Sequence, residues 1–532
     1  MARAQGLTTR ARASARGRVA QGRAPRAAWR RASAGGAVPL RLGPLGAKRA
    51  DQESHTSDDV LRKIAEIKSR SEELADLSRK GGDEDAVEQD RAEGVLGEEE
   101  ARLVKGVRRA SEILSRGLLE REVEVKLLLL ASLTGEHLLL LGPPGTAKSE
   151  LARRLSKVCH GTYFERLLTR FSVPEELFGP LSMKGLEEDR YQRQIEGYLP
   201  TAQVAFVDEI FKANSAILNA LLTLLNERLF DNGAERIDVP LLCMVGASNE
   251  LPESEELDAL YDRFLIRRTV SQVSSNGLRD LASLASSGST SRQFDFDDEK
   301  PLTLEDFLEC KSKAIDAVSV PSRVIDLLVG LREYLQDKCE PPVYVSDRRF
   351  TKCVTFLQVA AFANGAKEVS EYDCLLLQFV LGQRAEDGDK VLDYVLENIS
   401  SDPGILQNEL TLLGIFGRAC RVLQSGEGDT GELLGESDAL IARLRSQQES
   451  FASALDHGFP LLRGSLWYSS QQVASAGQIL APPMKENLKK LQSLLEEALI
   501  VRLSLENKVQ AEVLEKLLPK RLKQYEKGVS QT

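Results

Sequence analysis

The stretch His137-Leu138-Leu139-Leu140-Leu141-Gly142-Pro143-Pro144-Gly145-Thr146-Ala147-Lys148-Ser149 decides the fold. Four consecutive leucines bounded by a glycine read as a strand buried on both faces, the habit of a parallel sheet. The eight residues Gly142–Ser149 nearly fit G-x-x-x-x-G-K-[ST], a loop whose backbone N–H groups cradle nucleotide phosphates. In that pattern the Lys148 ammonium meets the β- and γ-phosphates and the Ser149 hydroxyl ligates Mg²⁺. Glu150–Leu155 continues as helix, so the phosphates would also sit at the positive end of a helix. Ala147 stands where the strict pattern has its last Gly. If that residue is already right-handed helical, Ala costs nothing there.

A second buried strand, Val204-Ala205-Phe206-Val207, ends in Asp208-Glu209, sixty residues after Lys148. A carboxylate pair in this place holds Mg²⁺ through the first member and polarises the attacking water through the second. The next helix spans Lys212–Arg228, with Asn214 and Ser215 as candidate caps and Ile217, Leu218, Leu221, Leu222 and Leu225 as its buried stripe. A third buried strand, Leu241–Val245, runs into Gly246-Ala247-Ser248-Asn249. An amide at that strand end reads either as a partner of the attacking water or γ-phosphate, or as an ordinary turn residue. Arg263, near a later helix end, reads either as a cation reaching a neighbouring subunit's γ-phosphate or as a surface ion pair with Asp262.

Around these motifs the chain shows two hairpin signals. One is Leu181–Leu199 with a charged turn at Gly185–Asp189. The other is Asp231-Asn232-Gly233, between Arg228–Phe230 and Ile237–Val239. A helix from Leu103 to Leu130 precedes the first strand. Its Gly117–Leu119 segment reads either as lying near an adenine or as ordinary core. Residues 302–400 read as helices with capping signals at Thr303/Asp306, Ser346 and Ser370/Asp373. Arg348 and Arg349 fall in the first turn after Ser346. Positive charge there opposes the helix dipole, a conflict that a bound anion would resolve. In Leu406–Tyr525, the reading is helix again, with Ser425–Asp438 as a loop, Gly458–Pro483 irregular and a long helix over Met484–Leu518.

Composition bounds the rest. The chain has 532 residues, enough for several domains. No apolar run is long enough to span a bilayer. The first fifty residues hold eleven Arg, one Lys and no Asp or Glu. Together with many Ala and scattered Ser, that reads as an organelle transit peptide, or alternatively as a basic arm for nucleic acid. Ala/Arg/Ser content favours the chloroplast stroma over the mitochondrial matrix. The whole chain carries −10, of which this segment contributes +12, leaving −22 for the remainder. A body this acidic has no general attraction for nucleic acid. Seven cysteines without paired spacing read as reduced, structural thiols.

The expected organisation is therefore a transit peptide over 1–50, a charged linker over 51–102 and an α/β core over 103–281. A linker over 282–301, an all-α lid over 302–400 and a helical bundle or coiled coil over 401–532 follow.

From about Ser115 to Leu381 the motifs resemble the MoxR family of AAA+ ATPases, and within it the RavA subgroup. Besides the phosphate loop, the resemblance rests on Thr169–Ser172, Pro174–Leu181, Gly197–Pro200, Phe206–Ile210, Ala216–Asn219, Asn226–Arg228, Ala247–Pro252, Tyr261–Arg263 and Val345–Arg349. It implies an α/β fold: a P-loop AAA+ core with a parallel sheet and two β-hairpin inserts, then an all-α lid and a helical C-terminal domain. It implies nucleotide binding by Gly142, Pro143, Pro144, Gly145, Thr146, Ala147, Lys148 and Ser149, and Mg²⁺ held by Ser149 and Asp208. Glu209 takes the role of general base, Asn249 of sensor 1, Arg263 of arginine finger and Arg348 of sensor 2. It also implies ATP hydrolysis in a hexameric ring of like subunits, with a chaperone-like role on a protein client and a von Willebrand factor A domain partner. The hairpins would line the central pore. A nucleotide-gated scaffold with slow turnover and a metal-chelatase motor subunit are the competing readings. Beyond about residue 400 the resemblance fades, because the β-rich domain of RavA has no counterpart in the sequence.

Overall fold

The computed structural model describes residues 97–252, 254–286, 301–401, 403–426 and 428–529, with a few positions between 62 and 70. The N-terminal fifty residues and most of both linkers lie outside the described residues, and the helix Ser275–Ser286 extends into the second linker.

Two helices precede the sheet where the sequence suggested one. Helix α1 (Glu98–Ser115) and α2 (Glu122–Thr134) are separated by a turn in which Gly117 and Glu120 take φ of +69° and +54°. Those left-handed residues end the helical run that apolar periodicity alone would continue. Strand β1 (Leu138–Leu141) follows, then α3 (Lys148–Val158), β2 (Tyr163–Leu167), the short helices α4 (Glu175–Phe178) and α5 (Met183–Glu187), and β3 (Val204–Asp208). Next come α6 (Ser215–Glu227), the hairpin β4 (Leu229–Asn232) and β5 (Glu235–Asp238), β6 (Cys243–Ser248), α7 (Glu255–Arg263), β7 (Ile266–Thr269) and α8 (Ser275–Ser286).

Five strands form one parallel sheet in the order β2-β3-β6-β1-β7. Its side chains alternate as the period of two requires. Leu138, Leu140, Val204, Phe206, Val245 and Ala247 face a core shared with α1–α3 and the lid. Leu139, Ala205, Val207 and Met244 face a second core under α6 and α7. A run of four leucines is therefore what a strand covered on both sides needs.

The β4–β5 hairpin forms as expected, with Asn232 opposite Glu235. The first insert departs from the expected β-hairpin. Only Leu181 and Arg193 form an antiparallel bridge, and the tip between them is helix α5, capped by Ser182 accepting from the Gly185 N–H at 3.2 Å. Local capping at the tip competes successfully with strand pairing.

The lid comprises α9 (Leu304–Ala317), α10 (Ser322–Glu333), α11 (Asp347–Ala363), a 3-10 run over Glu371–Phe379, and α12 (Ala385–Ser400). Its capping signals stand as read. Thr303/Asp306 and Ser370/Asp373 form reciprocal boxes, and Ser346 accepts from the Arg349 N–H at 3.2 Å.

The C-terminal region is helical, with different bounds from those expected. It contains α13 (Pro403–Ser425), α14 (Thr430–Asp456), α15 (Pro460–Arg463), α16 (Ser470–Glu506), α17 (Ala511–Leu517) and α18 (Pro519–Val529). Helix α14 begins nine residues earlier than the loop reading over Ser425–Asp438 allows, capped by Asp429. Helix α16 begins at Ser470, not Met484, and runs straight through Pro482 and Pro483. Each interior proline removes a backbone hydrogen bond, at about 3 kcal/mol or more. Burial of Ala476, Leu480 and Met484 against the lid core offsets that cost. The same helix enters a separate core with Leu491, Leu495, Leu499 and Val501, beside Phe416, Leu440 and Leu444.

Candidate active site

The carboxyl ends of β1, β3 and β6 lie side by side, which places the phosphate loop, the Asp208-Glu209 pair and Asn249 at one edge of the sheet. Gly142 leaves β1 with φ +146°, its N–H donating to the Ser248 carbonyl at 3.0 Å. A Cβ there would meet the Val270 carbonyl oxygen at 2.2 Å, so only glycine fits. Gly145 has φ +78° and nothing within 4 Å of where a Cβ would point.

Ala147 corrects the sequence reading. It takes φ +65° and ψ +23°, left-handed, and ends as the N-cap of α3. For an L-residue this costs about 1–2 kcal/mol. The loop is held in place from behind by Arg121, whose Nε donates to the Thr146 carbonyl at 3.1 Å and whose guanidinium also reaches Ser271 O at 2.8 Å. No sequence motif marks Arg121. Its acceptors come from segments 25 and 150 residues away.

The side chain of Lys148 folds back over its own loop. Its Nζ donates to the Gly142 carbonyl, with Pro143 O at 3.4 Å and Asn249 Oδ1 at 3.5 Å. Burial depresses the Lys148 pKa, against the pull of Asp208 and Glu209. Asn249 Nδ2 in turn donates to Glu209 Oε1 at 2.8 Å. Lys212 Nζ lies 3.3 Å from Glu209 Oε2. Glu209 itself sits at φ +53°, a strained backbone for a non-glycine residue. Sequence reasoning did not single out Lys212. Its place three residues after Glu209, on the short 3-10 turn Ile210–Lys212, is the signal that would have found it. A cleft of ≈ 300 Å³ opens beside the carboxylates, lined in part by Arg170, Glu209, Lys212, Asn214 and Glu250.

These residues fit a Mg²⁺–nucleotide. Among the described residues the only partners of the Lys148 ammonium are carbonyl oxygens of its own loop and of Asn249. The Ser149 hydroxyl and the Asp208 carboxylate are hard oxygen donors, the kind that Mg²⁺ takes while keeping several waters.

Arg263 and Arg348 gather elsewhere. Strand β7 starts opposite the start of β1, Ile266 beside Leu138, so the α7–β7 turn lies at the amino end of the sheet. Lys352 of α11 pairs with Glu136 just ahead of β1 at 2.6 Å, placing the first turns of α11 at that same end. The Arg263 guanidinium lies 3.7 Å from Asp262, while its buried Nε has no partner. Burial and the nearby Arg348 charge lower its pKa, against Asp262. Arg348 is exposed and carries no ion pair among the described residues.

Arg349 resolves its dipole conflict without an anion, contrary to expectation. Buried, it donates to the carbonyls of Val380 at 2.5 Å, Phe264 at 3.1 Å, Leu265 at 3.3 Å and Asp262 at 3.4 Å, and to Asp262 Oδ1 at 3.3 Å. The Gly117–Leu119 turn lies close to α3, since Arg154 donates to the Leu114 carbonyl at 3.1 Å and to Arg116 O at 2.5 Å.

Residues 105–307 match the family described as the MoxR domain in the MoxR-vWA-beta-propeller ternary systems, and residues 323–395 match an AAA lid domain. Two proteins of Methanocaldococcus jannaschii, the uncharacterized MJ0812 and MJ0079, are each 41% identical to the chain. The alignments span 283 and 279 residues, 53% and 52% of this chain and 72% and 70% of those proteins. The chain belongs to the MoxR family of AAA+ ATPases. A more distant member, the chaperone MoxR1 of Mycobacterium tuberculosis, is 27% identical over 195 residues, 36% of this chain and 49% of that protein. In this MoxR-family chain the α/β core, the lid and the helical C-terminal region follow one another as an AAA+ fold. No described helix is long and apolar enough to cross a membrane.

Proposed function

We propose that the chain is an ATP-hydrolysing subunit of a ring that remodels protein complexes, working with a partner that carries a von Willebrand factor A domain. The observation that carries this reading is the chain of contacts Lys148–Asn249–Glu209 at the end of the sheet, with Asp208 beside it. Lys148 and the loop N–H groups would hold the phosphates, and Ser149 and Asp208 would hold Mg²⁺, which would neutralise charge on the phosphates. Glu209 takes the proton of the attacking water, and Asn249 orients that water or the γ-phosphate. Arg263 and Arg348, gathered at the far end of the sheet from their own phosphate loop, serve the nucleotide of the next subunit in a hexamer. The family description, which names vWA systems, and the chaperone MoxR1 support the partner and the remodelling role.

The RavA subgroup and a plastid address through residues 1–50 belong to the same proposal. The address is tested by a reporter fused to those fifty residues. The slow-turnover scaffold is the second reading, favoured by the occupation of both Glu209 oxygens.

ATP turnover and nucleotide affinity, measured together, test the mechanism. Glu209→Gln should bind ATP as wild type does and lose turnover by at least about a hundredfold, the low end for a general base. Lys148→Ala should lose affinity. A Glu209→Gln protein that hydrolyses normally sinks the mechanism. Unchanged affinity in Lys148→Ala means that the nucleotide binds elsewhere.

A further inference from the structure

The geometry points to Arg121 as a positioning residue of the phosphate loop, one that sets which way the Thr146–Ala147 peptide faces, an inference that rests on Gly142–Ser149 being the nucleotide site. Arg121 is the N-cap residue of α2 and is 5% exposed. A guanidinium this buried ordinarily meets a carboxylate. Arg121 has no ion-pair partner among the described residues. Its donors go to carbonyls of three segments: Nε to Thr146 O at 3.1 Å, Nη1 to Glu120 O at 2.7 Å and Nη2 to Ser271 O at 2.8 Å. In a planar trans peptide the C=O and the following N–H point opposite ways. Fixing the Thr146 carbonyl therefore turns the Ala147 N–H to the far side, where it has no acceptor among the described residues. An N–H so placed, one residue before Lys148, is a donor available to a phosphate oxygen.

The anchor behind Arg121 is itself braced. The Glu120 carboxylate accepts from the Ser274 N–H at 2.7 Å and from the Ser274 hydroxyl, tying the α1–α2 turn to the start of α8. Ser271 follows Val270, whose carbonyl oxygen fills the space beside Gly142 at the other end of the loop. Between these two fixed points Ala147 holds φ +65° and ψ +23°. An L-residue disfavours the left-handed region by about five- to thirtyfold. Ala147 has no polar side chain of its own to offset that bias, and the Arg121 contact to the preceding carbonyl supplies the offset from 25 residues before Thr146. Releasing the Thr146 carbonyl lets the peptide turn, and the N–H turns away from the phosphates with it.

The test measures ATP and ADP affinity by calorimetric titration, with steady-state kcat and KM, for Arg121→Met and Arg121→Lys on the full chain. Each is made with Ala147 in place and again in an Ala147→Gly background. Arg121→Met should weaken both nucleotides by about five- to thirtyfold, the bias that it releases. The change should fall on KM and not on kcat, because the loop holds ground state and transition state alike. Glycine takes the left-handed state freely, so in the Ala147→Gly background the same substitution should cost less than about threefold. Arg121→Lys keeps the charge and gives up the planar fork. It should lose nearly as much as Arg121→Met beside Ala147, and as little in the glycine background. If Arg121→Met does not fold, the two Arg121→Lys chains carry the comparison. Affinity within about twofold of wild type, an equal loss in both backgrounds, or full recovery with lysine overturns the positioning role. Lys148→Ala, run alongside, separates the two failures. If it loses affinity while the Arg121 variants do not, the positioning role falls and the nucleotide site stands. If it keeps affinity, the site falls and the positioning role with it.

Discussion

Replacing Arg349 by methionine removes the guanidinium that joins lid to core and leaves a side chain of similar length in its place. Arg349 is 5% exposed and serves four backbone carbonyls and one carboxylate, drawn from the α7–β7 turn and from the end of the lid's 3-10 run. Phe264, Leu265 and Val380, which carry three of those carbonyls, are buried. Leaving buried carbonyls without their donor costs about 1–3 kcal/mol each, so about 3–5 kcal/mol for this set, the half-exposed Asp262 adding little. Methionine keeps the packing, so the loss is polar and not a cavity. At roughly 2 °C per kcal/mol for a unit of this size, the melting transition should fall by about 6–10 °C. Arg349→Lys should recover less than half, because an ammonium cannot spread its donors over a planar fork. Calorimetry on the full chain, with hydrogen exchange over residues 260–266 and 376–382, reads both the loss and its place. A melting point within 1 °C of wild type would mean that the lid is held by apolar packing alone.

Three further outcomes follow from particular residues. Ala147→Gly removes about 1–2 kcal/mol of left-handed strain and adds about 0.4–1 kcal/mol of unfolded-state entropy, so the midpoint in denaturant should rise slightly; a clear fall would show that the loop stores no strain at Ala147. Burial pushes the Asp373 carboxyl up to about 7 from 3.8, so its contribution to stability is full below pH 4 and lost as pH rises to 7. Asp373→Asn, which keeps an acceptor for the Ser370 N–H, should flatten that slope and be at least as stable as wild type at pH 8; a Tm that drops equally at pH 4 and pH 8 would contradict this. Arg263→Ala subunits should bind ATP without turning it over, and mixing them with Lys148→Ala subunits should restore part of the activity, measured as phosphate release against mixing ratio; no recovery at any ratio would place Arg263 outside the neighbour's site.

What could be read from the chain was local. A strand covered on both faces declares itself as Leu138–Leu141, and a carboxylate pair at a strand end as Asp208-Glu209, because each signal is contained in five or six consecutive residues. The lid's caps are equally local: two pair a hydroxyl with a carboxylate three residues on, and the third is the Ser346 hydroxyl alone. Where the reading failed, the deciding partner was distant. The left-handed state of Ala147 is set by closure of the loop onto Ser248, Val270 and Arg121. Arg349 looked like half of an anion site because its carbonyl partners lie 31 to 87 residues away. Pro482-Pro483 looked like a helix boundary because intrinsic propensity is all that the local sequence offers. The burial that overrides it depends on Trp467, Tyr468 and the lid.

Helix α16 has a consequence for how motion leaves the nucleotide site. Its first half is embedded with the lid, and its second half is embedded in a core of its own with α13 and α14. One continuous helix therefore has a foot in each body. From Met484 to Glu506 it runs about 33 Å at 1.5 Å per residue, so a 10° swing of the lid displaces its far end by about 6 Å. Small rearrangements around Arg349 and the α7–β7 turn would thus arrive at the C-terminal bundle as strokes the size of a side chain. On this geometry the bundle is the output end of a lever arm.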